Sequence, residues 1–195
     1  MIVRLGGFHI CENFLGAIGY LVEGSGIEDL MVESNLCLRG TARKVLAGRD
    51  YYKMTRYHSL VAEAMVHLQW EAFEDFLRLD DCDHLLTNLN NSMQEIFLFN
   101  ASVDDLKSHI GAIKGDLVSL LPHWNVFCEN LGPTAQFWSM YVEMVLIMKR
   151  YITAERAGIW EDHLTEVTNM IPFIICMTQL ICPVLANLFE RHEKS

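Results

Sequence analysis

The apolar residues of this chain recur mostly at intervals of three and four, which is the spacing of one face of an α-helix. This pattern predicts a first helix from Phe8 to Val22 and a long helix from Asp50 to Leu79. Two more periodic segments follow at 84–99 and 102–122, and Pro122 is expected to end the second of them. The hydrophobic pattern therefore predicts a mainly α-helical chain.

The last third of the chain continues this helical pattern. Gly132-Pro133-Thr134 predicts the start of a helix that Gly158 should stop. A short helix is expected over 160–170. Pro172 is then expected to start a final apolar segment that Pro183 interrupts.

The first residues carry a different signal, because Ile2 to Leu5 is a β-prone run that ends at a pair of glycines. It predicts one short N-terminal strand. Gly24-Ser25-Gly26 should stop the first helix, with Ser25 as the cap of the next one. Because the sequence contains no repeat and no long linker, we predict a single domain over 1–195. Within it, 1–35 would form a strand–helix part and 36–195 a helical region.

Composition narrows the class of protein. Hydrophobic residues make up 51% of the chain and there are only four prolines, which excludes an intrinsically disordered protein. The six cysteines are scattered without a C-x-x-C pair, so we expect free thiols in a reducing compartment. This predicts an intracellular protein, either nuclear or cytoplasmic.

The uncharged stretch Val167–Phe189 is long enough to span a bilayer, so a C-terminal membrane anchor is one interpretation. The alternative is a buried helix. Polar side chains and two prolines within the stretch, together with the absence of a basic flank, favour the buried helix. We therefore do not expect a membrane partner.

The net charge of −10 opposes general nucleic-acid binding, because phosphate neutralisation supplies most of the non-specific affinity. The segment Arg39–His58 is an exception, since it holds six basic residues, a single acid, and three tyrosines that can stack on bases. Its alternative interpretation is a solvated helix face. The candidate nucleic-acid-binding residues are Arg39, Arg43, Lys44, Arg49, Lys53 and Arg56.

No other motif specifies chemistry. The donors of 80–84 are adjacent along the chain, and His58 and His67 do not have the spacing of a known metal site. A solvated acidic turn is the favoured interpretation of 80–84. We predict no metal and no cofactor from these residues.

Three motifs resemble an uncharacterised eukaryotic domain family that is common in animal and fungal genomes and generally regarded as transposon-derived. The first is Leu5-Gly6-Gly7-Phe8-His9, and the second is Gly24-Ser25-Gly26-Ile27-Glu28. The third runs from Ala154 through Gly158 to Leu164 as A-E-R-x-G-x-W-x-x-H-L. The likeness spans nearly all of the chain.

Larger members of this family resemble transposases with an RNase H-like core, in which two aspartates and a glutamate hold divalent metal. The resemblance implies that the aspartates lie upstream of the G-G-F-H motif, so this chain would lack them. It also implies that the N-terminal strand is the remnant edge of such a core. Glu28 is then the candidate third, catalytic carboxylate, and its alternative is an acid at a helix start. Mg²⁺ would bind only if another chain completed the site.

These observations lead to two functional hypotheses. The first is a transposase-like fragment that is inactive alone and binds DNA weakly through the basic segment. The second is a helical protein-interaction scaffold that contacts a protein partner or another copy of itself, and no nucleic acid. The sequence leaves enzymatic activity open and favours its absence. For Glu155, Arg156, Trp160 and His163 we favour a structural role, in which they lock two helices at a Gly158 corner.

Overall fold

The computed structural model describes the backbone of residues 7–98 and 103–192 and the side chains of 7–94 and 106–176. Within these residues the chain forms α-helices and no strand, so the mainly α-helical prediction is confirmed. The strand predicted at 2–5 lies outside the described residues, and the described part shows no sheet that would belong to an RNase H-like core. The helices are α1 (Gly7–Leu21), α2 (Ile27–Glu33), α3 (Arg39–Leu46), α4 (Tyr51–Leu79), α5 (Asp83–Leu98), α6 (Val103–Glu129), α7 (Pro133–Ala157) and α8 (Trp160–His192).

The chain divides into two compact units. Unit 1 contains residues 1–64 and 138–195, and unit 2 contains residues 65–137. Helices α4 and α7 contribute residues to both units. This division does not test the prediction of one domain over 1–195, but it places α1 and α2 in the same unit as α3 and α8.

The core of unit 1 is built on the apolar face of α1. Phe14, Leu15 and Ile18 are fully buried on this face, in agreement with the helical period of the sequence. Helix α1 packs against α3 and α8, and α2 packs against α3. The ring of Phe14 lies 6.3 Å from that of Phe173 in α8. From α7, this unit buries Tyr141, Met144, Val145, Met148 and Tyr151.

The crossing of α1 and α3 depends on Gly19. A Cβ atom at this position would overlap the carbonyl oxygen of Leu46, which belongs to the backbone of α3. The two helices therefore approach more closely than any larger residue at position 19 would allow.

Unit 2 has its own core between α4, α5 and α6. The ring of Phe73 meets that of Trp124 edge to face, with centroids 5.0 Å apart and an interplanar angle of 81°. Such aromatic pairs stabilise a core beyond the area that they bury. The buried residues of this core are Phe73, Leu77, Leu86, Leu89, Leu120 and Phe127.

Two sequence-based helix boundaries at prolines are wrong. Helix α6 continues past Pro122 to Glu129, and α8 continues past Pro172 to His192. A proline inside a helix costs about 3 kcal/mol. Beyond Pro122, α6 buries Phe127 in the core of unit 2, and burial of such a side chain contributes about 1.5–3 kcal/mol. Packing therefore offsets the lost hydrogen bond.

None of the helices in the described parts of the chain combines the length and the apolar character needed to cross a lipid bilayer. Of the stretch 167–189, the side chains beyond Cys176 lie outside the described residues.

Candidate functional site

Glu28 lies in the first turn of the short helix α2. The turn before α2 contains Gly24 and Gly26 at positive φ values of 74° and 91°, which glycine adopts without strain. Gly26 occupies the N-cap position, so the prediction that Ser25 caps α2 is wrong. The Ser25 hydroxyl instead donates a hydrogen bond to the carbonyl oxygen of Val22 at 2.7 Å.

Two arginines of α3 converge on Glu28. Arg39 and Arg43 are four residues apart, so both side chains leave the same face of α3. Arg39 Nη1 and Arg43 Nε each donate a hydrogen bond to Glu28 Oε1 at 3.0 Å. Arg39 Nη2 also lies 2.8 Å from Oδ1 of Asp29. The hydrogen bonds that Arg39 donates to Asp29, and then to Glu28, raise the pKa of Arg39.

We call these four residues the arginine–carboxylate cluster. It unites the predicted catalytic residue with two predicted nucleic-acid-binding residues. The pairing ties α2 to α3 and gives Glu28 a structural role, although ion pairs exposed to solvent are weak. Both arginines donate to Oε1, so a metal bound through that oxygen would have to displace their guanidinium groups. The catalytic role of Glu28 stays a prediction.

A cleft of about 670 Å³ opens beside this cluster, between α1, α2 and α3. Its walls carry the carboxylates of Glu23, Glu28 and Asp29 and the guanidinium groups of Arg39 and Arg43. Because the two signs of charge are mixed, the cleft does not select an anion by charge alone. Among the residues that the structure describes, no group of three His, Cys, Asp or Glu side chains is placed to hold a metal ion.

The remaining basic residues lie at the end of α3 and the start of α4. Lys53 Nζ is 2.8 Å from Oδ2 of Asp50, and the Lys53 backbone N–H donates to Asp50 Oδ1 at 3.2 Å. Asp50 therefore caps α4, and the hydrogen bonds from Lys53 lower the pKa of Asp50. Lys44 adds a weaker attraction to the same carboxylate.

All six candidate cations are exposed, but they fall into two classes. Those with a direct carboxylate partner form the paired trio: Arg39, Arg43 and Lys53. Those that show no ion pair within the described residues form the unpaired trio: Lys44, Arg49 and Arg56. No carboxylate within the described residues lies in ion-pair contact with the unpaired trio, although Lys44 attracts the carboxylate of Asp50 at longer range.

Tyr52 lies close to these cations along the chain. It is 82% exposed, and it precedes Arg56 by one helical turn of α4. Its neighbour Tyr51 is partly buried, with its ring 4.9 Å from that of Phe8. Lys44, Arg49, Tyr52 and Arg56 are exposed and close together in sequence, and we call this set the cationic–aromatic face.

The late motif forms the predicted corner between α7 and α8. Gly158 adopts a positive φ of 69°, and the Ile159 N–H donates to the Ala154 carbonyl at 3.1 Å, which ends α7. At this corner Glu155 Oε1 contacts His163 Nδ1. Trp160 stacks on the His163 ring at 5.0 Å and 10°. These contacts agree with the structural interpretation of the motif.

Sequence reasoning missed that the first and last motifs meet. Tyr151 Oη donates to the Gly7 carbonyl oxygen at 3.0 Å, across 144 positions of sequence. A pocket of about 170 Å³ lies at this junction. Burial raises the pKa of Cys11 to about 11 and that of Tyr51 to about 12, so neither group is ionised near neutral pH. The pocket is lined by Gly7, Phe8, Cys11, Tyr51, Tyr151, Ile152, Glu155 and Arg156.

His58, a metal-capable residue in the sequence, is instead part of the unit 1 core. It is 0% exposed, and its Nδ1 lies 3.0 Å from Tyr141 Oη. Its Nε2 has no hydrogen-bond partner among the described residues. Burial lowers the pKa of His58 to about 4 and raises that of Tyr141. His58 is therefore a neutral core residue at physiological pH.

The comparisons with known proteins place the chain in a family without giving it an activity. The chain matches neither a curated protein nor a solved structure. Membership in an uncharacterised domain family is confirmed, whereas no comparison supports a transposon origin. The matching family model, a domain of unknown function (DUF8702), covers residues 1–188, and the chain therefore belongs to that family.

Proposed function

We propose that this chain is a non-catalytic binding protein that holds single-stranded nucleic acid weakly on its cationic–aromatic face. The observation that carries the proposal is an 82% exposed Tyr52 close in sequence to three exposed cations that form no ion pair with a carboxylate in the described part of the chain. Descent from a transposase-like protein, which the sequence motifs suggest, is part of the same proposal.

The expected affinity follows from the number of available cations. Each neutralised phosphate contributes about −0.7 to the slope of log K against log salt for single strands, so the unpaired trio gives a slope of about −2. Binding should therefore weaken about 20-fold between 50 and 200 mM salt. Stacking of a base on Tyr52 adds about 1–3 kcal/mol, and only an unpaired base offers its face. Single strands should therefore bind more tightly than duplex.

The two classes of cation provide a matched experiment. The variant Lys44→Gln/Arg49→Gln/Arg56→Gln removes the unpaired trio, and Arg39→Gln/Arg43→Gln/Lys53→Gln removes the paired trio. Both variants lose three positive charges, so long-range electrostatics are equal. Fluorescence anisotropy of a labelled oligonucleotide across a salt series should show binding abolished in the first variant and largely kept in the second.

Two results would contradict this proposal. Equal loss of binding in both variants would mean that the overall charge, and not this face, attracts the oligonucleotide. No binding by the unmodified chain at 20 mM salt would exclude the function.

A second candidate function is a protein-interaction scaffold, which an exposed stripe on α6 favours. Leu106, Ile110, Leu117 and Leu121 share one side of α6 and are 44–53% exposed. Contiguous apolar surface of this kind often marks protein contacts. If the stripe is accessible, an apolar dye should bind the chain, and Ile110→Glu/Leu121→Glu should weaken that binding. Dye binding without oligonucleotide binding would favour the scaffold.

A nuclease completed by another chain has less support, because Glu28 is occupied by two arginines. That hypothesis predicts Mg²⁺-dependent nicking of DNA that Glu28→Gln abolishes. Absence of nicking with a longer relative present would exclude it.

A further inference from the structure

We infer that two copies of this chain pair through one side of α8, independently of any nucleic-acid binding. From Trp160 onward, apolar residues recur at alternating steps of four and three residues. In the part with described side chains they are Trp160, Leu164, Val167, Ile171 and Ile174. We call this set the α8 seam. The spacing is that of the apolar positions at which helices pair in coiled coils.

The α8 seam is distinct from the side of α8 that packs within unit 1. His163, Glu166 and Met170 face that unit and are at most 7% exposed. Leu164 and Ile171 of the seam are instead 47% and 46% exposed. Helix α8 thus uses one side for its own unit, while Leu164 and Ile171 on the adjacent side remain exposed.

A second copy is the occupant that fits this stripe best. Apolar residues at steps of four and three provide both the knobs and the holes of helix pairing, so the seam is complementary to itself. With 33 residues, α8 is about 50 Å long. The sequence carries the same spacing onward in this helix at Ile181, Leu185 and Leu188, with the polar Thr178 at the position between Ile174 and Ile181. With Thr178 as its one polar position, the spacing is kept over four heptads of the sequence.

The charge distribution also favours this side for contact between copies. Each chain carries a net charge of −10, so two copies repel each other over most of their surface. Between Val167 and Phe189 there is no charged residue, so pairing there does not place acids of the two copies opposite each other. Pro172 and Pro183 do not occupy seam positions.

The test is the mass of the chain in solution. Size-exclusion chromatography with light scattering should give twice the monomer mass of 22.4 kDa at tens of micromolar. Leu164→Glu/Ile171→Glu should shift the protein to monomer. The control Thr165→Glu/Cys176→Glu adds the same charge at exposed positions outside the seam and should leave the dimer unchanged.

Circular dichroism must show that each variant is folded. If the double glutamate variant does not fold, Ile171→Asn is the substitute, because one polar residue in a seam weakens pairing with less disturbance. A monomer at every concentration, or a dimer that both seam variants keep, would overturn the inference.

Discussion

At the residue scale, the buried environment of His58 makes the stability of the fold depend on pH. Its pKa is about 4 in the folded chain and ordinarily 6.5, so the unfolded chain binds the proton more tightly. The contribution of His58 to the free energy of unfolding is therefore fully present above pH 6.5 and is lost as the pH decreases towards 4. The shift in pKa corresponds to about 3 kcal/mol of this free energy.

We expect His58→Gln to remove this acid dependence between pH 6.5 and 4, because the variant has no imidazole to protonate. Urea unfolding at a series of pH values measures this dependence of the free energy of unfolding on pH. The exposed His67 provides the control, and His67→Gln should keep the full slope. An identical pH slope in all three proteins would show that His58 is not responsible.

Tyr52 offers a test that separates stacking from charge. Since the Tyr52 side chain is 82% exposed, its removal costs little stability. We expect Tyr52→Ala to weaken single-strand binding about 5- to 150-fold without changing the salt slope. Anisotropy titrations measure both quantities. A weaker effect on single strands than on duplex would argue against base stacking.

At the element scale, two glycines of α1 make opposite predictions. A Cβ at position 19 would overlap the backbone oxygen of Leu46, whereas a Cβ at position 16 would meet nothing within 4 Å. Gly19→Ala should therefore lower the free energy of unfolding by about 1–3 kcal/mol or more. Gly16→Ala should raise it by about 0.5–1 kcal/mol, because alanine favours the helix. Thermal unfolding of the two variants, measured side by side, gives both changes in stability. Equal changes in the two variants would mean that α1 and α3 do not cross closely.

Helix α6 contains a proline, Pro122, that should destabilise the helix, and its replacement should therefore stabilise the chain. Pro122 is exposed in the interior of α6, so alanine would restore a backbone hydrogen bond without losing buried contacts. We expect Pro122→Ala to raise the free energy of unfolding by about 1–3 kcal/mol. Chemical denaturation provides the measurement. A destabilised variant would show that α6 depends on the bend that proline imposes.

These elements show what the sequence can predict. Periodicity, Gly132-Pro133 and Gly158 were sufficient for the class of fold and for both ends of α7, because those signals are local. The proline boundaries were wrong because tertiary packing overrode a local cost. The partners of Arg39, Arg43 and Tyr151 depend on which helices meet, and no local pattern contains that information.

At the scale of the whole molecule, the two units have separate cores. We therefore expect a mutation in one core to destabilise its own unit more than the other. Phe73→Ala removes a large side chain from the core of unit 2, and such changes cost about 3–5 kcal/mol. We expect faster amide hydrogen exchange in 65–137 than in the rest of the chain. Mass spectrometry of peptides after hydrogen exchange would measure this difference between the two parts of the chain. A uniform increase over all residues would mean that the units open together.

The discontinuity of unit 1 has a consequence during synthesis. Unit 2 is complete once Phe137 is made, but unit 1 still requires most of α7 and all of α8. At about 5–20 residues per second, the remaining segment emerges over several seconds. Throughout that interval Phe14 lacks helix α8, whose Phe173 ring lies beside it in the folded chain. The ribosome-bound chain thus exposes apolar side chains that the folded chain buries. This exposed surface favours aggregation and is the kind of surface that chaperones bind.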